Sequence, residues 1–290
     1  MNPDLDLAHL ARQWGASAVP FGPLGERDWL DTVAVQQARA HLNQTAALRS
    51  VLLLDGPNGV GKSALAGRWL RSLDERLFQP VSLTQATLSG SGLLSRLAAQ
   101  LGKPGSCRRE RNLQRIEETL AELGRRILVV VLDEAQNYAY TALEELRLLL
   151  GLNLPQTPAF ALVLIGDEYL LSTLKLRHHR ALYSRLAAQV SLPPWTAAQC
   201  AQYLAGALAA VGLSSQVLEP TAAELLASAS GGLPRSLNLL ARATWIHAAT
   251  QGAQKITAAH VHHALPTVPC VPGLALPPAA ANPQPSSGSP

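Results

Sequence analysis

The stretch Val51-Leu52-Leu53-Leu54-Asp55-Gly56-Pro57-Asn58-Gly59-Val60-Gly61-Lys62-Ser63-Ala64 constrains this chain more than any other. Its apolar start reads as a short buried strand. The strand breaks into a glycine-bearing loop with the spacing G-x-x-x-x-G-K-S, and a helical pattern from Ser63 to Leu70 follows at once. Strand, loop and helix in that order are the context that a phosphate-cradling loop requires. Backbone N–H groups from Gly56 to Ala64 are expected to turn toward phosphate oxygens, and the helix start adds partial positive charge. Lys62 is placed to reach the β- and γ-phosphates of a nucleotide, and the Ser63 hydroxyl to hold Mg²⁺. Gly56 and Gly61 supply backbone angles and a close approach that a Cβ would block.

Composition bounds the rest. The chain has 290 residues, enough for one large domain or a core with a smaller lobe. It is 48% hydrophobic but only 4% aromatic, so the core must be aliphatic. A net charge of +4 permits a nucleic-acid partner without demanding one. Cys107, Cys200 and Cys270 share no metal-ligand spacing and suit a reducing compartment. No signal peptide opens the chain and no run of 18 apolar residues occurs, so a cytoplasmic protein without a membrane partner is expected.

Residues 1–46 form an N-terminal helical segment, with a short helix ending near Gly15, a turn at Pro20-Phe21-Gly22-Pro23, and a second helix from about Arg27 to Asn43. Residues 47–194 form an α/β core with a five-stranded parallel sheet. Its strands are Val51–Leu54, Phe78–Leu83, Ile127–Leu132, Phe160–Gly166 and the short Val190-Ser191-Leu192. Ile127–Leu132 and Phe160–Ile165 are apolar without alternation, as expected for strands buried on both faces. Helices are expected at Leu93–Leu101, Asn112–Leu123 and Ala142–Leu152. Residues 195–265 read as helices only: Thr196–Val211, Thr221–Ala229, Pro234–Thr250 and Thr257–Leu265, with Gly212 and Gly252 at two of the ends. Residues 266–290 carry eight of the 20 prolines and no charge, the composition of a disordered tail.

Further groups add chemistry. Asp133 stands at the tip of a buried strand, where ligands of open α/β sheets bind, and is a candidate to hold Mg²⁺. Glu134 follows and can polarise an attacking water as general base. Asp167 and Glu168 end the next strand; either could place a water near the γ-phosphate or cap the helix that follows. Arg180 and Arg185 precede the fifth strand, and one of them, with Arg185 preferred, could reach a neighbouring subunit's ATP. Arg235, after Gly231-Gly232-Leu233-Pro234, could point from the helical lobe to the phosphates.

These pieces, in this order, resemble an AAA+ ATPase. Asp133-Glu134-Ala135-Gln136-Asn137, Leu164-Ile165-Gly166-Asp167-Glu168, Leu192-Pro193-Pro194, Gly232-Leu233-Pro234-Arg235-Ser236-Leu237-Asn238 and the closing Ile256-Thr257 are similar to the ExeA/GspA-like branch. That branch overlaps with transposon target-selection ATPases of the TniB, TnsC and MuB kind. The resemblance covers about residues 20–265. It implies ATP hydrolysis with Mg²⁺, a homo-oligomeric ring or helical filament, and a C-terminal helical lid. It differs at Asp167, where such proteins carry Gln; a carboxylate there repels the γ-phosphate. The chain also carries no membrane span followed by a peptidoglycan-binding domain, which turns the expectation toward mobile elements.

The leading expectation is an ATP-dependent, DNA-binding regulator of transposition, which selects a target on duplex DNA and recruits a transposase. Contacts would be non-specific and to phosphates. The candidates are the loop Thr84–Gly92, the cluster Lys103, Arg108, Arg109, Arg111 and Arg115, and a second cluster of Lys175, Arg177 and Arg180. The alternative is an ExeA/GspA-type ATPase serving a secretion or envelope machine. A third is a nucleotide-switched scaffold with little turnover.

Overall fold

The computed structural model describes residues 6–22, 29–84, 89–152 and 157–268. It divides into two compact units, one of residues 31–193 and one of residues 1–30 with 194–290. The N-terminal segment, expected as one piece over 1–46, is therefore shared between them. Pro23, Arg27, residues 85–88 of the polar loop and most of the proline-rich tail lie outside the described residues.

In chain order the elements are α1 (Leu7–Gln13), α2 (Val33–Leu48), β1 (Val51–Asp55), α3 (Lys62–Ser72), β2 (Phe78–Leu83), α4 (Gly90–Gln100), α5 (Arg109–Glu122), β3 (Ile127–Leu132), α6 (Tyr140–Leu150), β4 (Ala161–Ile165), α7 (Leu170–Leu174), α8 (Arg180–Tyr183), β5 (Leu186–Ser191), α9 (Ala197–Ala210), α10 (Pro220–Ala229), α11 (Pro234–Thr250) and α12 (Ala258–Ala264).

The unit of residues 31–193 is built on a parallel five-stranded sheet in the order β2-β3-β4-β1-β5. Every residue of β1 and β4 is buried, as continuous apolar runs require when helices cover both faces. Pro80 is tolerated because β2 lies at an edge, where one row of N–H groups has no strand partner. The helices pack their apolar stripes on this frame, with Leu93, Leu94, Leu97, Ile116, Leu143 and Leu146 all buried.

Three boundaries differ from the expectation. Helix α2 starts at Val33 because the Thr32 hydroxyl caps it, accepting from the Val35 N–H at 3.3 Å. Helix α4 starts at Gly90, so Gly90–Gly92 form its first turn; a Cβ on Gly90 would lie 2.9 Å from the Thr141 carbonyl oxygen. Strand β5 begins at Leu186, four residues before the apolar Val190 that marks it in sequence. Its alanines carry little strand propensity, and its register to β1 shifts between Val51 and Leu52.

The second unit is helical. Thr196 and Gln199 form a capping box at the start of α9. Gly212 and Gly252 adopt φ of 83° and 70° just beyond α9 and α11, as helix stop signals do. The segment 6–22 belongs here: Ala11, Trp14, Ala16 and Phe21 join the core of α9, α10 and α11. The rings of Trp14 and Trp245 meet edge to face at 6.2 Å. Tyr203 donates to Asn238 Oδ1 at 2.6 Å, and Asn238 Nδ2 donates to the Gly22 carbonyl at 3.1 Å, which ties the segment down.

Leu53 is fully buried on β1, flanked by β4 and β5. Leu53→Ala should cost about 2–5 kcal/mol of stability, read as a lowered midpoint in denaturant unfolding.

Candidate nucleotide site

The loop after β1 has the backbone of a phosphate cradle. Gly56, Gly59 and Gly61 adopt φ of 141°, 86° and 107°, values that side chains rarely reach. A Cβ on Gly56 would lie 2.5 Å from the Leu192 carbonyl oxygen, so the loop can lie against the end of β5 only with glycine there. Gly61 caps α3 without any side-chain hydrogen bond. The first N–H groups of α3 are therefore left to an outside acceptor, which suits a phosphate.

Lys62 is only 6% exposed. Its ammonium donates to the carbonyls of Gly56 at 2.7 Å and Pro57 at 3.1 Å. Burial pushes its pKa below the ordinary lysine value, while Glu134, Asp133, Asp167 and Asp55 oppose that shift. The ammonium thus occupies the hollow of the loop with carbonyl oxygens as its partners. A triphosphate fits this arrangement, because it brings anionic oxygens to a cradle already lined with donors.

Asp55 ends β1 and is buried. Its carboxylate accepts from Gln189 Nε2 at 2.6 Å and from the Ser191 hydroxyl, both on β5. Sequence reasoning passed over it, although a carboxylate closing an apolar strand was the available signal.

Asp133 follows β3, and its N–H donates to Leu83 O at 3.0 Å. Glu134 takes a left-handed backbone, φ 53°, and its N–H donates to Asp133 Oδ1 at 3.0 Å. Tyr138 donates to Leu83 O at 3.1 Å; burial first, then the Asp133 charge, raises its pKa to about 12. Gln136, quoted in the resemblance but given no role there, donates from Nε2 to Glu134 Oε2 at 2.7 Å. The structure therefore brings Lys62, Asp133, Glu134 and Asp167 together at the ends of β1, β3 and β4. Asp167 accepts at Oδ1 from the Tyr169 N–H at 3.0 Å, so its carboxylate serves its own turn, and Glu168 is exposed.

Arg185 and Arg180 lie elsewhere in the unit of residues 31–193. Arg185 is half-buried where β5 begins, at the end of the sheet opposite the phosphate loop. It donates to Arg147 O at 2.6 Å near the end of α6. Burial and Arg147 lower its pKa. Arg180 is exposed at the start of α8. Arg235 is exposed in the first turn of α11, in the helical unit.

The expected basic cluster is largely paired within the chain. Lys103 bonds Glu122 at 2.8 Å, Arg109 grips Glu145 through two bonds of 2.6 and 2.8 Å, and Arg115 donates to Pro104 O. Arg109 and Arg111 stand on α5 rather than in a linker. Arg108, Arg111, Thr84, Lys175 and Arg177 are exposed. Among the described residues no helix is long and apolar enough to cross a membrane.

Comparison with known proteins agrees with this geometry. An AAA domain model matches residues 45–174, from the end of α2 through α7. General secretion pathway protein A of Aeromonas hydrophila is 29% identical over 228 residues, a match covering 76% of this chain and 41% of that protein. The chain thus spans about two fifths of that relative's length. Among solved structures, Aeropyrum pernix ORC2 in its ADPNP–ADP complexes superposes with TM-score 0.63 at 18% identity, over 89% of this chain and 71% of the other. Aeropyrum pernix ORC1 in complex with DNA gives 0.64 at 22%, over 83% and 66%. The Thermotoga maritima RuvB Holliday junction branch migration motor gives 0.54 at 19%, over 80% and 68%. At these identities the likeness is one of fold.

The fold is that of a P-loop AAA+ ATPase, with a five-stranded parallel sheet and a helical C-terminal region. The sequence likeness is to General secretion pathway protein A.

Phosphate oxygens arriving at Lys62 should raise its pKa back toward the ordinary value. ATP binding should then take up protons in the alkaline range just below that value. Calorimetry in buffers of different ionisation enthalpy reads the uptake. Lys62→Ala should lose nucleotide binding itself.

Proposed function

We propose that this chain uses ATP binding and hydrolysis to switch the assembly of an AAA+ homo-oligomer on duplex DNA. The assembled ring or filament would mark a target and recruit a transposase, and hydrolysis would release it. The observation that carries the nucleotide part is the convergence of Lys62, Asp133 and Glu134 beside a glycine cradle. The DNA part is supported by a net charge of +4, by exposed Arg108, Arg111, Lys175 and Arg177, and by a fold shared with an ORC1 protein solved with DNA.

In this reading Lys62 exchanges its loop carbonyls for the β- and γ-phosphates. Ser63, exposed in the first turn of α3, and Asp133, half-buried at the end of β3, offer hard oxygen donors. Such a pair suits Mg²⁺, which keeps several waters and phosphate oxygens in its shell. The ion, when bound, would neutralise charge on the β- and γ-phosphates. Glu134 accepts the proton of the attacking water. Arg185 or Arg180 completes the neighbour's site.

A second reading is favoured by one observation, the likeness to General secretion pathway protein A. There the same ATPase serves a secretion or envelope machine, with a protein partner instead of DNA.

Glu134→Gln should bind ATP yet hydrolyse it about 10²- to 10⁴-fold more slowly, trapping the assembled state. Electron microscopy with duplex DNA, with and without a slowly hydrolysed ATP analogue, separates the two readings. ATP-dependent filaments or rings on DNA, lost as salt rises, support target selection. Particles indifferent to DNA overturn it in favour of the secretion-type role.

A further inference from the structure

At the exits of β3 and β4 one neutral side chain stands among carboxylates. Asp133, Glu134 and Asp167 all act electrostatically on Lys62, which groups them around the phosphate position. Gln136 spans two of them. Its Nε2 donates to Glu134 Oε2 at 2.7 Å, and its Oε1 accepts from the Asp167 N–H at 3.4 Å. Chemistry fixes the amide this way round, because an amide oxygen turned to the Glu134 carboxylate would be repelled and the Asp167 N–H would lose its acceptor.

Two further observations agree. A Cβ on Gly166 would lie 2.7 Å from Gln136 Oε1 and would also collide with Leu170. Glycine at the end of β4 therefore opens the space in which the Gln136 amide rests. The Asp167 carboxylate is taken by the Tyr169 N–H, and as an anion it can only accept hydrogen bonds. The neutral donor beside the base is thus Gln136. Its bond uses one oxygen of Glu134 and leaves the other to accept from water.

We propose that Gln136 is a positioning residue for hydrolysis: its amide holds the Glu134 carboxylate toward the attacking water and ties it to the turn after β4. This rests on reading Glu134 as the base. Glu134 has a left-handed backbone and is exposed, so its side chain has little packing to fix its direction. The amide bond supplies that restraint.

The test compares the full chain with Gln136→Ala, Gln136→Glu and Glu134→Gln, by steady-state ATP hydrolysis and by titration with a fluorescent ATP analogue. Gln136→Ala should lower kcat about ten- to a hundred-fold, the loss expected for one hydrogen bond to a charged group. KM and the analogue's Kd should stay within about twofold, because the bond acts on the base and not on binding. Gln136→Glu should lower kcat at least as far, since a carboxylate there repels Glu134 instead of donating to it. A wild-type kcat in Gln136→Ala overturns the proposal. So does a loss that appears in KM and Kd rather than in kcat, which would make Gln136 part of the binding loop. If Glu134→Gln turns over normally, the base assignment falls and the proposal falls with it. If Glu134→Gln is inactive while Gln136→Ala is normal, only the proposal fails.

Discussion

A buried ammonium organises this site. Lys62 sits where burial disfavours its charge, and its direct partners are the loop carbonyls of Gly56 and Pro57. Carbonyl dipoles satisfy its donors without cancelling its charge. The carboxylates of Glu134, Asp133, Asp167 and Asp55 offset part of the cost from farther off. Each of those carboxylates is delivered by the C-terminal end of β1, β3 or β4. The parallel sheet is thus the device that gathers negative charge around one lysine, and the loop keeps that lysine available to an anion.

The same ends of the strands are cross-linked by side chains. Asp55 ties β1 to β5 through Gln189 and Ser191. Tyr138 closes back on β2 at Leu83, and Gln136 joins the exit of β3 to that of β4. Isolated loops at a sheet edge would wander. Here the exits of β1 and β3 are fastened to neighbouring strands and turns by buried or half-buried polar contacts, which restrains the spacing of the acids. Such preorganisation is what makes electrostatic stabilisation of a transition state effective.

The frame was largely legible in the sequence, and the reasons are local. Apolar runs such as Ile127–Leu132 announce strands buried on both faces, and the glycine-lysine-serine loop dictates its own backbone. The C-terminal helices could be bounded because caps such as Thr196 and stops such as Gly212 act within one turn. What stayed hidden depends on distant partners. Strand β5 is poor in β-branched residues and gains its first half by pairing with β1. Segment 6–22 joins the helical unit through Trp14 meeting Trp245, a contact no local pattern encodes. The roles of Asp55 and Gln136 stayed hidden because they depend on Gln189 and Ser191 of β5 and on the turn after β4. The basic cluster looked free because a sequence lists charges without showing where they are spent. Glu122 and Glu145, from α5 and α6, take up Lys103 and Arg109.

Arg185 gives the proposed assembly its physical logic. It shares with Lys62 a charge that burial opposes, and it lies at the other end of the same sheet. Its guanidinium donates to one carbonyl and stands near Arg147, a like charge that lowers its pKa further. A triphosphate relieves Lys62 within one chain. Glu144 supplies part of a counter-charge to Arg185; in the proposed head-to-tail oligomer, the phosphates of a neighbouring subunit would add to it. In that proposal one anion between two subunits would meet a partly desolvated cation on each side, and charge alone would couple nucleotide occupancy to assembly.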